Sequence, residues 1–248
     1  MKFSGQGTVL IAKRDTSGNP LSFFTLGCAD ELDVKLNIDK WEHTESCTGQ
    51  RGVDAQGFKK ASGEITLAIT DWNQKNLELA LNGTTNATTT GSAVNETLHT
   101  GIVVGDIARL LHMAPTSVVI TDSAGSPATV SGSHYEVDTV LGSVKFLNVT
   151  GYTQPFKVSY SWTDPAYVAM LSAGLYDIFL RFEYLNTQNA NQRGLVEFYK
   201  VQFNPTESFE LLNEELQVMK LTGSILMDTT KSASGALGQY GRCTLPPA

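Results

Sequence analysis

The sequence predicts a mainly β protein with one short α-helix and a small β subdomain inserted into the larger one. Three observations carry that expectation. Apolar and polar residues alternate with a period of two in several separate runs, the mark of strands with one buried face. Turn residues punctuate those runs. After a Thr/Gly/Asn-rich stretch the strand pattern begins again, as an inserted unit would.

The first apolar run, 8–12, is followed by Asp15-Thr16-Ser17-Gly18-Asn19-Pro20 and a second run at 21–26, which reads as a hairpin turn between strands. Leu32, Val34, Leu36 and Ile38 then alternate with Asp33, Lys35, Asn37 and Asp39, and the apolar set is expected to face a core. Ile65, Leu67 and Ile69 repeat the pattern against Glu64, Thr66 and Thr70. Asp71 as N-cap, Gln74 three residues later and Asn82-Gly83 as a stop predict the helix, with Leu77, Ala80 and Leu81 on its packing face.

Between these strands, residues 41–60 turn polar and Gly-rich without periodicity, and are expected to form a long loop of the kind that orders on binding. Residues 84–97 read as a linker. Short strands are expected near 118–121, 134–138, 142–147 and 156–163, giving an inserted subdomain over 98–165; 105–113 is open between a helical turn and a strand. From 176 to 227 the chain reads as three or four long strands, with 194–203 buried on both faces. Residues 1–83 and 166–230 thus form one discontinuous domain, and the Gly-, Ser- and Ala-rich 231–248 an arm.

Composition narrows the function. A net charge of −7 argues against a protein that grips nucleic acid through clustered cations, though it suits a surface that DNA must pass without sticking. The N-terminus lacks the apolar run of a signal peptide and no stretch is long enough to span a bilayer, so the chain is expected to fold in a cytoplasm. On that ground Asn82, Asn86, Asn95 and Asn148, each in an Asn-x-Thr triplet, read as loop and strand-edge residues rather than glycan sites. Cys28, Cys47 and Cys243, an odd set without metal-ligand spacing, are expected to be free thiols, mostly buried.

A search for chemistry finds little. There is no nucleophile elbow, phosphate-binding loop or zinc-protease motif. Gly5-Gln6-Gly7 lacks a third glycine and precedes a strand, so it is no dinucleotide fingerprint. His43 with Glu42, Glu45 and Cys47 reads as a polar loop rather than a metal site. Glu207, Glu210, Glu214 and Glu215 read as a solvated edge rather than paired catalytic carboxylates. Trp41, Trp72 and Trp162 read as core residues rather than a sugar platform. No catalytic, cofactor or metal residue is assigned, and the expectation is a non-enzymatic protein that assembles with copies of itself.

The opening Gly5-Gln6-Gly7-Thr8-Val9-Leu10-Ile11-Ala12-Lys13-Arg14 with its following turn resembles the start of bacteriophage tail tube proteins of the long, flexible-tailed type. Phe182-Glu183-Tyr184-Leu185-Asn186, Val196-Glu197-Phe198-Tyr199-Lys200-Val201, Asn204-Pro205 and the closing Leu221-Thr222-Gly223-Ser224-Ile225-Leu226-Met227-Asp228 extend the resemblance over 1–83 and 166–230. The inserted unit departs from the minimal family pattern and is similar to small β modules that decorate virion proteins.

The resemblance implies a β-sandwich or barrel with a flanking helix that forms rings, usually of six copies, stacked into a tail tube through which DNA passes into the host without specific binding. It further implies tape measure, tail terminator and distal tail proteins as partners, no cofactor, no membrane, and a place in the virion after assembly in the bacterial cytoplasm. Within that picture Trp41, Glu42, His43, Thr44, Glu45, Gln50, Arg51, Asp54, Gln56, Lys59 and Lys60 are expected in a ring-stacking loop. Asp33, Lys35, Asn37, Asp39, Glu64 and Thr66 are expected on the channel wall. The competing readings are a secreted carbohydrate-binding β module and the tube protein of a contractile injection or secretion system.

Overall fold

A computed structural model describes residues 2–47, 49–188 and 192–244. Residue 48 of the expected loop and 245–248 of the expected arm lie outside them. The chain is mainly β, with one short α-helix. It begins with strands β1 (Gly5–Lys13), β2 (Phe24–Thr25), β3 (Ala29–Thr44) and β4 (Val53–Ile69), then helix α1 (Gln74–Ala80). Strands β5 (Thr84–Asn86), β6 (Thr89–Thr97), β7 (Ile107–Arg109), β8 (Thr116–Thr121), β9 (Tyr135–Asp138), β10 (Ser143–Phe146) and β11 (Lys157–Asp164) follow. The chain ends with β12 (Tyr167–Ala169), β13 (Ile178–Asn186), β14 (Gln192–Phe203), β15 (Met219–Ile225) and β16 (Gly241–Thr244).

Two compact units divide these elements: residues 1–84 with 168–248, and residues 85–167. In the first, an eight-stranded sheet runs β2-β1-β13-β14-β15-β4-β3, and β16 pairs with β14. β14 forks the sheet, because β16 pairs along Leu195–Phe198 and β15 along Val201–Phe203. Leu32 and Val34 of β3 line one groove with Phe182 and Phe198 of β13 and β14, so the sheet curls and brings non-neighbouring strands face to face. Inside the curl lie Val9, Ile11, Ile65, Leu67, Leu180, Val201 and Leu221, capped by Leu79 and Ala80 of α1. Each fully buried aliphatic side chain contributes about 1.5–3 kcal/mol relative to an exposed one.

The helix starts later than its sequence suggests. Asn73, not Asp71, is the N-cap, and its side chain accepts from the Asn76 amide at 3.0 Å. Asp71 instead accepts from the Cys28 amide. Asn76 is buried and its Nδ2 donates to the Leu26 and Asp71 carbonyls, both at 2.8 Å, tying the helix start to the end of β2.

In the second unit, sheets β7-β10-β9 and β6-β11-β8 enclose a separate core. Ala108, Val144 and Phe146 come from one sheet; Ile120, Val158 and Tyr160 come from the other. The linker expected at 84–97 is corrected here. Thr89–Thr97 is a strand paired with β11, because its threonines are β-branched and fit a pleated surface as readily as a loop. Residues 107–109 are a strand, which decides the ambiguous segment.

Three further expectations are corrected. The arm expected at 231–248 is, over its described part, folded back at β16, where Thr244 Oγ1 accepts from the Leu195 amide at 2.9 Å. The three cysteines are free but exposed rather than buried. Trp41 and Trp72 are also exposed, whereas Trp162 packs on the second core.

Candidate assembly surface

The expected loop at 41–60 is a β-hairpin. β3 and β4 pair from Ala29↔Ile69 to Thr44↔Val53, with irregularities near Ala29, at 39/40 and at 43/44. β15 covers β4 only from Gly63 to Ile69. Beyond that point the two strands continue alone as a ribbon for roughly 25 Å, at about 3.3 Å per residue. Both ribbon faces meet solvent, so no selection for alternation acts there, and the sequence loses the period that marks a half-buried strand.

The ribbon is held by exposed polar pairs. Gln56 Nε2 donates to Glu42 Oε1 at 2.7 Å, and Lys40 Nζ donates to Gln56 Oε1 at 3.4 Å. His43 Nδ1 lies 2.6 Å from Asp54 Oδ1. At the tip the Glu45 amide donates to the Gly52 carbonyl at 2.8 Å, and Arg51 adopts φ 50°. Lys60 lies 3.6 Å from Asp39. Exposed ion pairs of this kind contribute about 0–1 kcal/mol each, and an isolated two-stranded hairpin is marginal in water.

Of the expected stacking residues, Trp41, Glu42, His43, Thr44, Asp54, Gln56, Lys59 and Lys60 lie in the strands of this ribbon. Glu45, Gln50 and Arg51 lie in its turn. The six expected wall residues share one face of the same hairpin, with Asp33 opposite Thr66 and Lys35 opposite Glu64. Asn37 Nδ2 donates to Asp39 Oδ1 at 3.1 Å on that face. Acid and base alternate across it, so it is polar rather than uniformly acidic.

The other face holds what the sequence reading missed. Leu36 and Ile38 continue the alternation of Leu32 and Val34, but Leu36 lies on the last row that β15 reaches and Ile38 beyond it, and they are 74% and 59% exposed. The bulge puts Phe58 opposite Lys40 and therefore on this same face, 65% exposed. The stripe runs into the groove of about 390 Å³ lined by Phe3, Leu32, Val34, Phe182, Tyr184 and Phe198. Sequence alone shows the alternation of this stripe; which of its residues find cover depends on how far the core extends along the strands.

Two open edges end the strand order, besides that of the short β16, which pairs with β14 alone. The 16-residue β3 ends the strand order, and no strand pairs with its outer side among the described residues. At the opposite edge β2 pairs only with Leu10 and Ile11 of β1, leaving the exposed stretch 5–8 at the border.

Elsewhere two clusters of charged groups pair among themselves. A cleft of about 680 Å³ in the first unit contains Arg14, 2.8 Å from Asp228 and 3.7 Å from Asp177; Lys200 is 3.1 Å from Asp177. Burial works to raise the Asp228 carboxyl, yet hydrogen bonds from Thr230 and the Arg14 guanidinium outweigh it and hold the group below its ordinary value. In the second unit His112 stacks on Trp162 at 3.7 Å and lies 2.6 Å from Asp164, whose carboxyl is lowered by that contact and by the Met113 amide. Burial and a hydrogen bond to Glu96 push the Tyr160 hydroxyl up to about 12. These groups pin residues 111–113 to β6 and β11.

Among the described residues no group of three or more His, Cys, Asp or Glu is placed to hold a metal. No helix of the described residues is long and apolar enough to cross a membrane. Glu207, Glu210, Glu214 and Glu215 lie in the segment joining β14 to β15. The model of a family described as a protein of unknown function, UCP028589, matches residues 2–244. No curated protein matches the chain.

Proposed function

Since the chain belongs to the UCP028589 family, whose description assigns no activity, we propose from its own geometry that it is a self-assembling structural protein of a bacteriophage tail tube. The carrying observation is the ribbon: two strands extend past their sheet with Ile38 and Phe58 in solvent and Leu36 exposed at the root. An element that is marginal alone and apolar on one face is stabilised when another surface covers it.

The open edges supply the ring. A sheet that presents one free strand at each side joins copies head to tail, and a closed ring of such contacts removes both edges. The charges of β3 and the bulges of its hairpin restrict which strand it accepts. In this reading the ribbon reaches from one ring to the next, and the polar hairpin face of Asp33, Lys35, Asn37, Asp39, Glu64 and Thr66 borders the channel for DNA. The protein is then a virion component, with the resemblance of its opening and closing strands to long-tailed phage tube proteins supporting that placement.

The test is to shorten the ribbon. Residues 37–62 are replaced by Asn-Gly, a two-residue turn that closes Leu36 onto Gly63 in their existing register. The variant is expected to remain a folded monomer that forms no tubes. Tubes indistinguishable from those of the unaltered chain would remove the ribbon from the mechanism.

A further inference from the structure

The ribbon leaves one end of the sheet, and an acidic segment with exposed leucines hangs from the other. β15 begins at Met219, opposite Ile69, and runs to Ile225, opposite Gly63, where the ribbon departs. The 204–218 segment therefore sits at the far end of the same strands. It carries Leu212 and Leu216 at 98% and 86% exposure. Glu207, Glu210, Glu214 and Glu215 surround them, with no base between 204 and 219. Phe209 anchors the segment by stacking on Trp72 at 5.2 Å. The Thr206 amide fixes its start by donating to the Ala80 carbonyl at 2.8 Å.

The apolar ribbon face carries exposed side chains of its own, with two cations at its border. Leu36, Ile38 and Phe58 stand beside Lys40 and the bulged Lys59, both exposed. Gln56 accepts from Lys40 and donates to Glu42 on this face.

We infer that the 204–218 segment of one copy is the receptor for the ribbon of the next. This rests on the self-assembly reading and specifies the surface it uses. Two complementary surfaces at opposite ends of one sheet make a heterologous contact, which repeats along the strand direction and builds a stack rather than a closed dimer. Apolar burial of the leucines against Phe58 supplies adhesion, and the charge match selects register.

Two experiments test it. With benzoylphenylalanine in place of Phe58, irradiated assemblies are expected to yield intermolecular cross-links to 207–218. Assemblies whose cross-links map elsewhere would overturn the receptor assignment and leave self-assembly standing; a chain that neither assembles nor cross-links would overturn both. Charge reversal is the second test. Lys40→Glu with Lys59→Glu, and separately Glu210→Lys with Glu214→Lys, are each expected to weaken association roughly tenfold or more. Mixing the two variants restores it, since each ribbon then meets an opposite loop. Unweakened single variants, or a mixture no better than either alone, would reject the pairing.

Discussion

Trp41 lies across Gly57, its cross-strand partner, so closely that a Cβ at position 57 would come within 2.5 Å of the indole. The same arrangement recurs with Trp162 over Gly91 and Tyr184 over Gly194. In each pair the aromatic ring covers backbone that glycine leaves bare, which strengthens a strand pair that glycine alone would weaken.

These pairs differ in what supports them. Tyr184 is buried and its hydroxyl donates to the Thr244 carbonyl at 2.8 Å, so it cannot move aside. Gly194→Ala is expected to cost about 1–3 kcal/mol of global stability, as overpacking does. Gly57→Ala, on the exposed ribbon, is expected to change global stability by no more than about 0.5 kcal/mol while shifting Trp41 fluorescence. Urea titrations of both variants make the comparison, and equal losses would contradict it.

The Arg14–Asp228 pair fastens the turn after β1 to the segment after β15, with side chains 8% and 2% exposed. Removing one partner of so buried a pair costs about 3–5 kcal/mol, and Asp228→Asn is expected to show a loss in that range at neutral pH. The folded carboxyl lies below its ordinary value of 3.8. Its contribution is therefore complete above the unfolded value and fades as pH falls through the lower folded one. The stability difference between the original chain and Asp228→Asn should thus be constant from pH 7 to about 5 and shrink below about 4. A difference that grows on acidification would mean that the sign is wrong.

The polar hairpin face makes a separate prediction. Asp33→Lys with Asp39→Lys reverses two exposed or half-exposed charges without touching the core or the apolar ribbon face. Tubes are expected to form as before, while phage carrying the variant deliver DNA poorly, because cations on a channel wall retain phosphates. Undiminished infectivity would take this face off the channel.

Much of the fold was legible in the chain because most strands bury one face. Ile65, Leu67 and Ile69, and Ile178, Leu180 and Phe182, alternate because one side meets a core. The ribbon was illegible for the opposite reason: with solvent on both sides of 41–60, composition carries no period. The strand at Thr89–Thr97 was hidden by threonine, which serves both loops and strands. The reach of burial was also beyond the sequence. The alternation that starts at Leu32 and Val34 extends through Leu36 and Ile38 unchanged. Val34 packs against the core, whereas Leu36, on the row of Ile225 at the last residue of β15, is exposed.

That boundary gives the central claim its sharpest test, by negative-stain electron microscopy of the concentrated protein beside two variants. The unaltered chain is expected to form tubes of uniform diameter with regular rings. Leu36→Ser should keep the monomer's stability within about 0.5 kcal/mol yet form no tubes, whereas Leu67→Ala, in the core, should lose about 2–5 kcal/mol. An unaltered chain that stays monomeric at high concentration would contradict the account.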